Sequence, residues 1–308
     1  MGESPVKAVV KRMLGNMEKR FGTGRWSALW ILIIAGVGWG QPVAAQSTFT
    51  IGGKGVYGLY RNSLVQQFLS GRLDMFYRAP SGKWEIALGW RRSDFRFEQE
   101  VIAPLNFNHI RLNLIRRFST PGGGELILQG EAGTVISTDE NVDGRIPLYG
   151  SLGYLSPSQK YYLDAGVHYF PTGAANKLEL WATTGMALFN YYLWAQVAGH
   201  VSLYSREVQG LKRGWSLHPE ITYYAIPRKL TLTAYGIFGE QVFAYNPGTL
   251  VLYTSNIVLT ASAGLTIYYR IDDHITPYVD VQYEAYESRE FQTQFSATYF
   301  TVGMFWGL

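Results

Sequence analysis

The chain of 308 residues contains no cysteine. That absence excludes disulfides, thiolate metal ligands and a cysteine nucleophile, and also the acylated N-terminus of a lipoprotein. Charged residues are scarce, at 16% of the chain, whereas about 25% is usual. Aromatic residues reach 15%, and there are 34 glycines. Few charges combined with many aromatics and glycines favour an all-β chain with a large apolar exterior over a disordered one.

The small basic excess belongs to the N-terminal segment. Six of the 27 basic residues and two of the 23 acidic residues lie before residue 47, so the remainder carries 21 charges of each sign. A formal charge of +4 would otherwise suggest nucleic acid or anionic lipid as a partner. Because the remainder is neutral, we expect no nucleic-acid partner.

Residues 1–46 contain the three parts of a secretory signal. Basic residues at 19–25 precede an apolar run at 27–40, and small residues follow at 43–46. About fourteen apolar residues span only about 21 Å as a helix, too short for a hydrocarbon core of about 30 Å. We therefore predict a helical signal peptide over 1–46, cleaved near residues 45–46, and a second domain over 47–308. Three methionines are alternative start residues: Met1, Met13 and Met17.

After residue 46, apolar and polar residues alternate with period two, which is typical of half-buried strands. Four runs alternate most regularly: 84–90, 108–114, 161–169 and 257–269. In the last of these runs, the alternation places Leu259 on the apolar side. One row of each strand is thus predicted to face lipid and the other to face a more polar interior.

Turn signals divide this region into about fourteen strands. Tight turns rich in Pro, Gly and Asp are expected at 79–82, 120–124, 156–159, 226–228 and 271–274. Somewhat longer connectors are expected at 61–70, 98–106, 138–145, 206–213, 243–253 and 288–293. Short turns alternating with longer loops predict an all-β, antiparallel, up-and-down transmembrane β-barrel. The count falls to twelve if there is no turn near Asn190, and the alternative fold is a soluble β-sandwich or lipocalin-like barrel.

The C-terminal octapeptide resembles the β-signal of bacterial outer-membrane β-barrel proteins. The positions of that pattern are occupied by Thr301, Gly303, Trp306 and Leu308. The sequence departs from the pattern in its final residue, which is Leu where Phe is commoner. The resemblance implies an outer-membrane location, with outer-membrane lipid and the barrel-insertion machinery as partners. It indicates no characterised subfamily, solute or oligomeric state.

If the apolar rows face lipid, the opposite rows line the lumen. The predicted lumen residues are Glu85, Arg111, Glu131, Asp164, His168, Glu179, His200, His218, Glu220, Asp280, Gln282 and Glu284. In a water-filled pore, this excess of carboxylates would favour cations. In a packed, water-poor lumen, the same side chains would pair with one another, as they do in small barrels.

One motif suggests catalysis. His200-Val201-Ser202 has the His-x-Ser spacing of outer-membrane lipases and lipid A deacylases, in which His activates the Ser hydroxyl. Here the pair is predicted to face the lumen, whereas those enzymes meet lipid on the outer face, and Leu203-Tyr204 replaces the Asn-Gly of the phospholipase pattern. We expect no catalytic residues.

The five histidines have no metal-ligand spacing, and we expect no metal and no cofactor. The predicted function is a passive, porin-like channel for small hydrophilic solutes. Two alternatives stay open: a non-conducting structural or adhesion barrel, and a lipid-modifying barrel enzyme.

Overall fold

The structure is a computed structural model. It describes residues 48–63, 65–97, 104–242, 257–289 and 292–308. The predicted signal peptide and the predicted connector 243–253 lie outside the described residues. Among the residues described, no helix has the length and apolar character needed to cross a membrane.

Fourteen antiparallel strands close into one barrel. They are β1 Thr48–Arg61, β2 Val65–Arg78, β3 Trp84–Phe97, β4 Leu105–Ser119, β5 Glu125–Ser137, β6 Leu148–Leu155, β7 Tyr161–Phe170, β8 Lys177–Leu188, β9 Leu193–Val208, β10 Leu211–Ile226, β11 Leu230–Val242, β12 Val258–Tyr269, β13 Ile275–Ser288 and β14 Thr293–Gly307. Each strand pairs with its sequence neighbours, and β14 pairs with β1. The predicted fourteen-stranded up-and-down barrel is confirmed, and a turn at 189–192 separates β8 from β9.

The period-two pattern places apolar side chains on the outside. On β4, Ile110, Leu112 and Leu114 are 40–44% exposed, whereas His109 and Asn113 on the opposite row are less than 9% exposed. Apolar side chains are exposed in this way on nearly every strand. A continuous apolar belt of that size would be unfavourable in water and is suited to lipid.

The two ends of the barrel differ in their connections. Thr48 and Gly307 lie at the end that carries the tight turns, and we call this the turn end. We call the opposite end of the barrel the outer end. There the predicted connectors 61–70 and 206–213 are wrong, because the observed connections are much shorter. Only residues 62–64 separate β1 from β2, and only 209–210 separate β9 from β10. Strand residues beyond the membrane face water on both sides, so hydropathic alternation fades there although the ladder continues.

A β-bulge changes which residues of β12 face inward. The ladder to β11 shifts between Phe238 and Gln241, and the ladder to β13 shifts between Leu259 and Ala261. As a result, Val258 and Leu259 are both buried although they are adjacent in sequence. An extra residue in one strand reverses the alternation beyond it, so the predicted outward orientation of Leu259 is wrong.

Apolar side chains form a layer inside the barrel towards its outer end. Phe68 packs on Phe95, with ring centroids 4.7 Å apart, and Phe95 packs edge-on against Phe107 at 5.7 Å. The connector between β5 and β6 folds inward, so that Val142 is fully buried in the same apolar cluster. Most of the charged lumen residues described below lie between this layer and the turn end, but Lys177 lies opposite Phe170 and Tyr204 of the apolar cluster.

Candidate functional site: the barrel lumen

All predicted lumen residues lie on the inward row of their strands. Several are strongly buried, among them His168, Glu179, Asp280, Gln282 and Glu284. Their contacts divide most of them into three groups, on β13, on β8–β10 and on β1–β5. Each group combines charges with hydrogen-bond donors from neighbouring strands.

The β13 group is acidic. Thr266 and Tyr235 both donate to Asp280 Oδ1, at 2.7 and 2.9 Å. Further along the strand, Gln282 Nε2 donates to Glu284 Oε1 at 2.6 Å, and Tyr286 donates to the other oxygen of Glu284. These neutral donors satisfy the carboxylates without cancelling their charge, so this wall of the lumen stays negative.

The β8–β10 group surrounds Glu179. Its carboxylate forms an ion pair with Lys177, accepts a hydrogen bond from Ser202 Oγ at 3.1 Å, and lies 3.2 Å from His200 Nδ1. The His200 ring stacks on that of His218, with centroids 3.9 Å apart. Ser202 Oγ donates to Glu179, so its hydroxyl hydrogen is directed at a carboxylate and not at a histidine base.

The β1–β5 group is rich in cations. Arg111 donates to Asp74 Oδ1 at 3.1 Å and to Glu131 Oε2 at 3.2 Å. Asp74 also forms an ion pair with Arg72. Arg91 Nε donates to Ser70 Oγ at 2.8 Å. Arg111 is therefore held by two carboxylates, and Arg91 also interacts with a neutral hydroxyl.

Of the remaining candidates, His168 lies directly opposite Glu179, Glu220 lies opposite Gln196 and Tyr235, and Asp164 and Glu85 lie apart from the three groups. Asp164 accepts a hydrogen bond from Tyr162 at 2.8 Å. Glu85 lies nearer the turn end, where Arg78 and Arg117 contact it. The inward face of the barrel thus carries charge from the middle of the wall to the turn end. Within the described residues, no cluster of three or more His, Asp or Glu could hold a metal ion.

The charged lumen residues that sequence reasoning missed include Lys54, Arg72, Asp74, Arg91 and Lys177. The predicted residues and these five together hold five cations and eight carboxylates, so the predicted acidic excess shrinks but remains. The alternation already assigned Glu85 and Gly89 to the inward row of β3, and continuing it by two residues would have identified Arg91. Lys54 gave no such signal because glycines surround it.

Three of the four residues that match the β-signal pattern lie on the closing strand, β14, and Leu308 directly follows that strand. Thr301 is buried inside, and Gly303 lies directly opposite Lys54 of β1. The ring of Tyr278 occupies the space that a side chain at Gly303 would need. Glycine is therefore required at this position by packing, whatever its part in insertion, and recognition of this segment stays a prediction.

Comparisons with known proteins give the class of fold. No protein-family model and no curated protein sequence matches the chain. Its structure is similar to that of a bacterial polysaccharide outer-membrane secretin, with a TM-score of 0.52 and 8% identity, over 86% of this chain and 99% of that one. It is also similar to the CymD monoaromatic hydrocarbon channel, with a TM-score of 0.54 and 8% identity, over 86% and 89% of the two chains. A deltaS2 mutant of the TodX monoaromatic hydrocarbon channel is similar too, with a TM-score of 0.51 and 11% identity, over 86% of this chain and 90% of that one.

At these identities the likeness establishes the fold. A closed barrel of this kind with an apolar outer belt is an outer-membrane β-barrel, as the sequence predicted. The predicted class and location in the bacterial outer membrane are thereby confirmed. The similar structures are channels and a secretin, and the solute must be argued from the lumen itself.

Proposed function

We propose that this barrel is a passive, porin-like channel for small hydrophilic solutes. The observation that carries the proposal is the contrast between the two faces of the wall. The outer face is apolar, and the inner face carries charged and hydrogen-bonding side chains on strands around the barrel. A barrel that only needed a stable interior could fill it with apolar side chains. Charges there are costly unless they are paired or hydrated.

The chemistry of the lumen favours polar solutes. Carboxylates, guanidinium groups, hydroxyls and imidazoles line it from the middle of the wall to the turn end. Such groups replace part of the hydration shell of a small polar molecule and offer nothing to an apolar one. Such a solute would also have to pass the apolar layer towards the outer end.

We also infer that the barrel works without catalysis. His200 and Ser202 face the lumen, and both are bound to Glu179. Outer-membrane lipid and the barrel-insertion machinery are the proposed partners, through the apolar belt and the C-terminal segment.

Single-channel recording tests this function. Mature protein beginning at residue 47, folded in detergent, is added to a planar bilayer in potassium chloride. We expect discrete current steps whose size grows with salt concentration, because the lumen would carry hydrated ions. Heat-denatured protein in the same detergent is the control. A correctly folded barrel that produces no steps would contradict the proposal and favour the non-conducting structural or adhesion barrel.

A further inference from the structure

Three cations occupy directly opposite positions on neighbouring strands. The register pairs Lys54 of β1 with Arg72 of β2, and Arg72 with Arg91 of β3. We call these three residues the basic row. The next inward position, on β4, is His109. Like charges directly opposite one another destabilise a sheet, and the repulsion is stronger in the low dielectric of a barrel interior.

The inward positions just above and just below the basic row do not carry three cations. Towards the outer end, the paired positions are Val56, Ser70 and Ser93, all of which are uncharged. Towards the turn end, they are Gly52, Asp74 and Gly89. Positive charge is therefore concentrated at one level of the lumen wall.

The small residues next to the basic row leave space for long side chains. A side chain at Gly89 would collide with Asp74 and Arg111, whose atoms lie 2.7 and 2.8 Å from the position of its Cβ. Arg111 therefore extends over Gly89 to Asp74, at the level next to the basic row. A fourth cation is thus added to the same region of the lumen.

Carboxylates offset part of this charge. Asp74 contacts Arg72 and Arg111, and Glu131 contacts Arg111. Asp280 lies on β13, two strands from β1 around the barrel. It is within electrostatic range of Lys54 and already accepts hydrogen bonds from Tyr235 and Thr266. These carboxylates thus contact Arg72 and Arg111 and lie near Lys54. Lys54 and Arg72 are not fully buried, and 10% of the Arg72 side chain is exposed.

We propose that the basic row binds the anionic group of a small solute, a carboxylate or a phosphate, during passage through the barrel. Guanidinium groups present paired donors that match the oxygens of both groups, and an ammonium adds a compact charge beside them. A bound anion would relieve the repulsion between the three cations. This inference rests on the proposed channel function for the passage step, whereas binding itself needs no open pore.

Binding is tested first on the folded barrel in detergent. Inorganic phosphate, and separately acetate, are titrated by calorimetry into the native protein and into Lys54→Met and Arg91→Gln variants. We expect each variant to weaken phosphate binding roughly tenfold, which is the size of one lost charge-assisted hydrogen bond. Binding should also weaken as sodium chloride is raised, since salt screens the cations. Comparing acetate with phosphate distinguishes the two anionic groups.

Two further variants serve as controls. Arg117→Gln removes the same charge from the lumen near the turn end, where Arg117 contacts Glu85 and Glu125, and should leave phosphate binding unchanged. Lys54→Arg keeps the charge and should keep binding. Heat-modifiable migration on gels shows that each variant is folded. If folded Lys54→Met and Arg91→Gln bind phosphate as the native protein does, or if the native protein binds none, the proposal is wrong.

Ion selectivity separates this proposal from the channel function. In a potassium chloride gradient across a bilayer, the reversal potential of Lys54→Met should shift towards cation preference, and that of Arg117→Gln should shift less. Phosphate binding without current would leave the anion site standing and overturn the channel. Current with an unchanged reversal potential and no phosphate binding would support the channel and overturn the anion site.

Discussion

At the scale of single residues, glycines in the wall make room for aromatic rings. The ring of Tyr235 lies over Gly264 on the neighbouring strand, and Tyr278 lies over Gly303 in the same way. The covered glycine lets the Tyr235 hydroxyl reach across to Asp280 and Gln282 on β13. Packing and hydrogen bonding on the acidic wall therefore depend on a missing side chain.

Gly264→Ala should destabilise the barrel. The added methyl group would push the Tyr235 ring away and weaken its hydrogen bonds to Asp280 and Gln282, and overpacking of this kind costs about 1–3 kcal/mol. The measurement is the free energy of unfolding in urea, with the protein in lipid vesicles. Gly55→Ala is the matched control, because a Cβ at Gly55 meets nothing within 4 Å, and we expect it to change stability by no more than about 0.5 kcal/mol. Equal losses in both variants would refute this account.

At the scale of elements, the turn between β12 and β13 is closed by one carboxylate. The backbone N–H groups of His274 and Ile275 both donate to Asp272 Oδ1, at 2.8 Å. These two hydrogen bonds hold the pKa of Asp272 below its ordinary value. The adjacent Asp273 contacts Arg270 instead and is almost fully exposed.

The pH dependence of this turn follows from the lowered pKa. The carboxylate of Asp272 stabilises the folded turn above its unfolded pKa of about 4, and that stabilisation is lost as pH falls through the lower folded value. Urea unfolding midpoints measured between about pH 2 and pH 5 should fall less steeply in Asp272→Asn than in the native protein. Asp273→Asn should follow the native curve more closely. Parallel curves for the native protein and Asp272→Asn would show that the two hydrogen bonds contribute nothing.

The sequence predicted elements well wherever the outer face meets lipid. On β4, the alternation of Ile110 and Leu112 with Arg111 fixes both the strand and its orientation, because lipid on one side and polar lumen on the other enforce it. The signal fails where that contrast is missing. Leu259 lies beside a bulge that depends on the register with the neighbouring strands. Lys54 has glycines as neighbours in sequence, and these glycines favour neither face.

The grouping of the charged residues depended on register, which hydropathy does not encode. Glu179, His200 and Ser202 are all inward by alternation, but only the pairing of β8 with β9 brings them together. The basic row likewise appears only when β1, β2 and β3 are aligned. A one-residue slip in either ladder would move one strand's side chains to the opposite face.

At the scale of the whole molecule, closure depends on the pairing of the first and last strands. β1 and β14 are hydrogen-bonded from Thr50 opposite Gly307 to Arg61 opposite Ser296. Closure leaves no strand edge exposed to lipid, where an unpaired backbone group would be costly. The Leu308 N–H also donates to Phe49 O at 2.7 Å. The final residues are thus part of the seam that completes the barrel.

Because the chain has no cysteine, paired cysteines can test this seam without background. Gly55 lies opposite Val302, and Val56 opposite Thr301. Hydrogen-bonded and more closely spaced non-hydrogen-bonded pairs alternate along an antiparallel ladder, so one of these adjacent pairs is of the closer kind. We expect that pair, changed to cysteines, to form a disulfide on mild oxidation of the folded protein. The crosslinked chain would migrate faster on a non-reducing gel after boiling, since it closes a ring of about 250 residues, and its stability would rise by up to about 5 kcal/mol.

The off-register pair Gly55→Cys with Phe300→Cys is the control for this crosslink. Diagonal positions lie about 7–8 Å apart, too far for a disulfide, whose Cβ atoms are about 3.5–4.5 Å apart. A crosslink in this control as efficient as in the aligned pairs would indicate a sliding seam with no fixed register. If neither aligned pair crosslinks while the protein retains heat-modifiable migration, β1 does not meet β14 in this register. The alignment of Lys54 with Gly303 would then also be wrong, because that pair belongs to the same ladder.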